Sequence, residues 1–198
     1  KQVVIKRSVG RWYFCLQLEL PAPEPVVYPG PAVGIDVGLH HLLALSDGST
    51  VENPRWLRSS LAKLKVAQRR LSRRQRFSTG WRKAARQVAR LQEHVANQRL
   101  DFWHKVTTGL ARQYGLIAIE ELNLTFMTRN GTLSLSARDA ALGAFRQLLS
   151  YKAESAGSKL IAVAPHNTSR ICSGCGAMVE KSLSVRVHRC PGCGLVLD

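Results

Sequence analysis

Ala32-Val33-Gly34-Ile35-Asp36 is a short apolar run that closes on a carboxylate, and the segments after it decide the architecture. His41-Leu42-Leu43-Ala44-Leu45 is a second run, Ser46-Asp47-Gly48-Ser49 has the composition of a hairpin turn, and Thr50-Val51-Glu52 begins a third run. Aliphatic segments of strand length separated by an Asp-Gly turn predict strands that fold back on one another. Leu116-Ile117-Ala118-Ile119-Glu120 repeats the opening pattern, a buried strand ending in an acid, and Lys159 to Ala164 predicts a last strand. Helical patterns over Asp101 to Tyr114 and over Asp139 to Ala156, with a polar loop from Thr128 to Ser136 before the second, alternate with these strands and predict an α/β fold.

The two acid-terminated strands form a chemical pair. In an open sheet the carboxyl ends of neighbouring strands share one crevice, so Asp36 and Glu120 can point into the same space. Carboxylates without His or Cys suit a hard divalent cation, Mg²⁺ or Mn²⁺, and a pair of such ions can activate water against a phosphodiester. The plainer alternative for each acid alone is a helix cap or turn residue. Asp47, Asp101 and Asp139 are read in that plainer way, as turn, cap and helix-surface residues.

Charge points to the partner. The formal net charge is +16, and between Arg58 and Arg99 thirteen Lys or Arg face a single acid, Glu93. Leu61, Leu64 and Leu71 lie among the first of these cations; Trp81, Ala84, Ala85, Val88, Leu91 and Val95 form a stripe in the second part, with Arg82, Arg86 and Arg90 on another face. Ser78-Thr79-Gly80 interrupts the pattern, so residues 58–100 predict a helical hairpin with a cationic outer face. A merely solvated face normally interleaves both signs, because like charges at helical spacing repel. The candidate nucleic-acid contacts are Arg69, Arg70, Arg73, Arg74, Arg76, Arg82, Arg86 and Arg90, gripping phosphates without sequence preference.

Near the end stand Cys172-Ser173-Gly174-Cys175 and, fourteen residues later, Cys190-Pro191-Gly192-Cys193. Two such pairs predict a zinc ribbon in which each pair turns tightly to present two thiolates. Two disulfides are the alternative, and nothing else in the chain reads as secreted. His188 is a possible ligand, but four thiolates already close a tetrahedron, so it is read as a hairpin residue. Cys15, in a strand-like run, is read as a small buried side chain.

The outer segments complete the organisation. Lys1 to Leu20 predicts two strands around Gly10, and residues 21–31 with five prolines predict an extended linker. No apolar stretch is long enough to span a membrane as a helix. The chain opens on a strand-like alternation without an initiator Met and is expected to be part of a longer, cytoplasmic, nucleoid-associated protein.

Taken in order, Val33-Gly34-Ile35-Asp36-Val37-Gly38, Ile119-Glu120-Glu121-Leu122-Asn123, Thr168 to Gly176 and Arg189 to Gly194 carry a resemblance that covers nearly the whole chain. They resemble the C-terminal half of TnpB (OrfB), the family of transposon-encoded, RNA-guided DNA endonucleases similar to compact type V CRISPR effectors. The resemblance implies an RNase H-like, RuvC-type mixed sheet with an inserted helical hairpin over residues 32–166 and a zinc ribbon over 167–198. It makes Lys1 to Leu20 the tail of a preceding β-barrel, Asp36 and Glu120 the first two catalytic carboxylates, and guide RNA and target DNA the partners. The family's third acid usually follows the ribbon in an Asp-x-Asn-Ala-Ala segment; Asp198 matches an earlier, noncatalytic Asp of that stretch. A noncatalytic nucleic-acid-binding protein that keeps fold and ribbon is the second reading.

Overall fold

The computed structural model describes residues 2–19, 29–121, 134–164, 170–181, 185 and 187–197. Most of the proline-rich linker, Leu122 and Asn123, the polar loop up to residue 133, Thr168 and Asp198 lie outside the described residues.

The predicted strands form. β3 (Ala32–Val37), β4 (His41–Leu45) and β5 (Thr50–Glu52) make an antiparallel meander, and β6 (Leu116–Glu120) and β7 (Lys159–Val163) add parallel to the other side of β3. The five-stranded mixed sheet has the order β5-β4-β3-β6-β7. Alternation along β3 and β6 sends Val33, Ile35, Ile117 and Ile119 to one face. There they pack in a cluster with Trp103, Leu110, Phe145, Leu148 and Leu149 from two helices. Trp103 is fully buried; its Nε1 donates to the Ala140 carbonyl at 2.8 Å, and its ring lies 4.7 Å from that of Phe145. Removing such a side chain costs about 3–5 kcal/mol, which makes this contact a main fastening of helix to sheet. At Gly38 a side chain is excluded, because a Cβ would lie 2.8 Å from the His41 carbonyl oxygen.

The basic hairpin is α1 (Trp56–Ser72) and α2 (Thr79–Gln113). Ser78 caps α2, its hydroxyl accepting from the Trp81 amide at 3.1 Å, which explains the break at Ser78-Thr79-Gly80. The separate helix expected over Asp101 to Tyr114 does not exist. α2 runs unbroken for 35 residues, about 50 Å, because nothing around Arg99 interrupts the helical period; only the composition changes, from cationic to apolar. Asp101 is therefore not a cap but a mid-helix residue paired with Lys105 at 2.7 Å. The helix expected from Asp139 starts earlier and is broken: α3 (Ser134–Ala140) and α4 (Leu142–Ala156) meet at Ala141, held in a left-handed conformation at φ 52°.

Two further expectations are corrected. Cys15 is exposed, because β1 (Val3–Ser8) and β2 (Arg11–Leu16) form a separate two-stranded ribbon with side chains open on both faces. Asp139 is not on the helix surface. It is 6% exposed, and its carboxylate accepts from the amides of Leu57 at 2.8 Å and Arg58 at 3.1 Å.

Asp47 does sit in the β4–β5 turn, and it also clamps the end of α2. It accepts from the Ser49 amide and hydroxyl, at 2.8 and 2.6 Å, and from the Tyr114 hydroxyl at 2.5 Å. The Ser49 hydroxyl, then the Tyr114 hydroxyl, hold the Asp47 carboxyl down at about 2. The bond to Asp47, aided by burial, pushes Tyr114 up to about 12. The contribution of this clamp is complete above the ordinary carboxylate value of about 4 and fades as pH falls to about 2. At the other end it is complete below about 10 and is lost as pH rises through about 12. Tyr114→Phe is expected to lower the melting temperature at neutral pH and to flatten the acid limb of stability between those carboxylate values. Thermal unfolding followed by circular dichroism across that range checks it; an acid limb identical to the parent's contradicts the clamp.

Candidate functional site

The parallel register of β3 and β6 pairs Val33 with Ile117, Gly34 with Ala118 and Ile35 with Ile119. One step further along both strands are Asp36 and Glu120, so the two acids are in-register neighbours at the carboxyl edge of the sheet. Since Ile35 and Ile119 face the core, Asp36 and Glu120 occupy the opposite face, Asp36 exposed and Glu120 half-buried. Strands in a sheet are about 4.8 Å apart, a spacing at which two carboxylates can share one hard cation. β4 flanks Asp36 through its pairing with Ala44, and β7 flanks Glu120 through its pairing with Val163. The donor set is all oxygen and anionic, which fits Mg²⁺ or Mn²⁺ rather than a soft metal.

The eight arginines singled out in the sequence are all exposed: Arg69, Arg70, Arg73, Arg74 and Arg76 on α1 and the turn after it, Arg82, Arg86 and Arg90 on α2. Leu64 and Ala67 of α1 and Val88 and Val95 of α2 are buried, so the apolar stripes pack and the cations point out. None of the eight takes part in the ion pairs found among the described residues. Glu93, the one acid of the region, is used by Arg11 of β2 at 2.5 Å. Arg76 lies over the Phe77 ring at 4.9 Å and stays exposed.

The cysteines converge as predicted. The sulfurs of Cys172, Cys175, Cys190 and Cys193 all lie within 4.8 Å of one another, the only such group of His, Cys, Asp or Glu among the described residues. Each pair is a knuckle of the same design. The Gly176 amide donates to the Cys172 carbonyl at 2.8 Å and the Gly194 amide to the Cys190 carbonyl at 2.9 Å. Both glycines are left-handed, at φ 75° and 72°, a conformation that disfavours any side chain. Across the knuckles, Cys172 approaches Cys193 at 3.5 Å and Cys175 approaches Cys190 at 3.6 Å. Four ligands about 2.3 Å from a central zinc have edges near 3.8 Å, so the cluster fits a tetrahedral ion. His188 lies in β8 (His188–Arg189), paired with β9 (Val196–Leu197), as a hairpin residue outside the cluster.

Electrostatics agree with a cationic guest. The Cys193 amide and then, against burial, the Gly192 amide hold Cys190 down at about 6. At Cys193 the Leu195 amide pulls the thiol down, but the sulfurs of Cys172, Cys175 and Cys190 outweigh it and push it up to about 12. Four thiolates cannot share this space without a positive charge among them.

Against known proteins, residues 15–131 match the OrfB family model, described as "Probable transposase", and residues 143–198 match the "Cas12f1-like, TNB domain" model. The chain belongs to the OrfB (TnpB) family. It is 35% identical over 206 residues to the protein named RNA-guided DNA endonuclease InsQ of Escherichia coli (strain K12), covering 96% of this chain and 51% of InsQ. It is 36% identical over 200 residues to a protein named RNA-guided DNA endonuclease from Streptomyces pristinaespiralis, covering 98% of this chain and 48% of that one. The chain thus spans about half the length of the curated relatives it matches. Its fold is similar to that of Cas12f1 in a solved complex with a single-guide RNA and target DNA, with a TM-score of 0.55 at 18% identity, over 98% of this chain and 52% of that one. Among the described residues no helix is long and apolar enough to cross a membrane.

Sequence reasoning missed Asp139, whose carboxylate holds the first amides of α1. The signal for it was indirect: α1 has no acid in its first turn and no side-chain cap of its own, so its amides needed an acceptor from elsewhere.

Protein purified without chelators is expected to carry one zinc per chain. Cys→Ser at any of the four positions releases the metal and loosens the C-terminal unit, because ligand bonds hold so small a unit folded. Acidification has the same effect, since each sulfur must lose its proton to bind. Elemental analysis across a pH series checks both statements, and protein that contains no zinc at neutral pH contradicts them.

Proposed function

We propose that this chain is the catalytic and zinc-ribbon part of an RNA-guided DNA endonuclease encoded by a transposable element. In this reading the mixed sheet is a RuvC-type, RNase H-like nuclease core, and β1 and β2 belong to a β-barrel that precedes it. The observation that carries the reading is the β3–β6 register, which makes Asp36 and Glu120 in-register neighbours. The family membership and the names of the relatives support it. The RNA and DNA in the Cas12f1 complex are the basis for guide RNA and target DNA as partners.

Asp36 and Glu120 would hold the divalent ions, Mg²⁺ or Mn²⁺. When bound, such ions supply an activated water and stabilise the leaving oxygen of the phosphodiester. The two carboxylates bring two negative charges against the four positive charges of an ion pair, so a third acid from the rest of the protein completes the site. The arginines of α1 and α2 grip phosphates, and base pairing with the guide supplies sequence choice. The ribbon is a structural unit, closed by its four thiolates.

Two experiments test this. Residues 1–198 alone are expected to bind nucleic acid and to cleave it negligibly. With the rest of the protein and guide RNA restored, DNA is cut, and Asp36→Ala or Glu120→Ala abolishes cutting while leaving binding within about twofold, because each removes a transition-state interaction. Normal cutting by either variant overturns the carboxylate assignment, and binding without cutting by the restored parent favours the noncatalytic reading. Separately, Gln at Arg69, Arg73, Arg82, Arg86 and Arg90 is expected to flatten the salt dependence of binding by roughly one unit of slope for each phosphate no longer neutralised, with little change in melting temperature. An unchanged slope returns these arginines to a solvated face.

A further inference from the structure

Asn53 Oδ1 accepts from the Arg55 amide at 3.1 Å, but no neighbouring side chain caps the first amides of α1 itself. Its N-cap, Arg55, is left-handed at φ 52°, contributes no side-chain cap, and no acid lies in the first turn. The acceptor for its first amides comes from the far side of the chain: Asp139, separated by 82 residues from Leu57, bonds the Leu57 amide with Oδ1 and the Arg58 amide with Oδ2. A carboxylate facing the positive end of a helix dipole is favourable, and burial strengthens it. The same carboxylate lies 3.6 Å from Nε of Arg99, a buried atom of α2 with no hydrogen-bond partner of its own. Asp139 is itself rigidly placed. The next residue, Ala140, takes the Trp103 indole bond at 2.8 Å, and the chain then turns sharply at Ala141 into α4 on the core.

The two helices of the hairpin are therefore fixed in different ways. α2 orients itself, since its C-terminal half, through Trp103 and Leu110, is part of the core. α1 buries only Leu64 and Ala67 along its length, and besides its packing on α2 it meets α3 at its first turn. There the Trp56 ring lies against that of Phe102 at 5.1 Å, and Asp139 takes the two amides. Beside that joint is a small cavity of about 50 Å³, lined by Asn53, Arg55, Arg58, Ser136 and Asp139 together with Leu39 and Leu135, so the contact is not a close fit.

We infer that Asp139 is a positioning residue for nucleic-acid binding: by tying the first turn of α1 to the α3–α4 corner, it holds the α1 arginines in line with those of α2. This rests on the reading of the arginine face as a phosphate grip. Arg69 and Arg70 lie in the last turn of α1 and Arg73 and Arg74 directly after it, so a small change of angle at its first turn moves them furthest. A phosphate track has a fixed spacing, and cations that leave it stop displacing counterions.

The test uses Asp139→Asn in the 198-residue chain with a fluorescein-labelled, random-sequence duplex DNA. Asn retains one acceptor and loses the charge. Exchange of the Leu57 and Arg58 amides is expected to accelerate on the order of tenfold. The slope of log affinity against log salt, measured well below the melting temperature, is expected to fall by about one to two units. A lower melting temperature with an unchanged slope makes Asp139 a helix cap only and overturns the inference, as does unchanged amide exchange. Should the Asn variant not fold, Asp139→Glu, which keeps the charge and displaces the carboxylate by one methylene, is judged by the same two readouts. If the arginine-to-Gln variants lower the slope and Asp139→Asn does not, only this inference fails; if neither lowers it, the phosphate-grip reading itself fails.

Discussion

The parallel pairing of β3 with β6 is the constraint on which the remaining structure depends. Parallel neighbours cannot be joined by a tight turn, so the chain must leave the sheet after the β3–β5 meander and return from the opposite end. The crossover here is the α1–α2 hairpin, and its return limb is also the helix that covers the sheet. One pairing thereby explains why the cationic arm is part of the same helix that carries Trp103 and Leu110 into the core. It also explains why Asp36 and Glu120, 84 positions apart in the chain, are neighbours at the sheet edge. Moving that register by one residue would turn Ile117 and Ile119 away from the core, so the burial that stabilises the fold is the same burial that aligns the acids.

Much of this was legible in the sequence because the relevant periods are short. Ala32–Asp36 and Leu116–Glu120 read as apolar strands that each close on an acid, and neighbouring strand ends share one crevice, so Asp36 and Glu120 were expected in one place. The knuckle spacing of Cys172, Cys175, Cys190 and Cys193 carried its own geometry, since only tight turns with glycine after each pair present four sulfurs this way. Ser78-Thr79-Gly80 was legible as a boundary because it interrupts the pattern of cations and apolar residues on either side.

The rest was hidden for identifiable reasons. The unity of α2 was masked by its composition: the cationic half and the apolar half read as different objects, although the helical period passes through Arg99 and Asp101 unchanged. Asp139 reads as a surface residue because helix position alone does not reveal a partner 82 residues away. Exposure of Cys15 was hidden because alternation tells which face a residue is on, not whether that face is covered. Tyr114 and Asp47 illustrate the same limit, since a turn residue and a helix end gain their roles only when the fold brings them together.

Whether the β3–β6 register builds a hard-cation site is tested most directly by an anomalous-scattering map from crystals of the protein in its full-length form, grown with Mn²⁺. The expected result is a manganese peak within bonding distance of carboxylate oxygens of both Asp36 and Glu120. A manganese peak ligated by other residues, with Asp36 and Glu120 touching no ion, would contradict it.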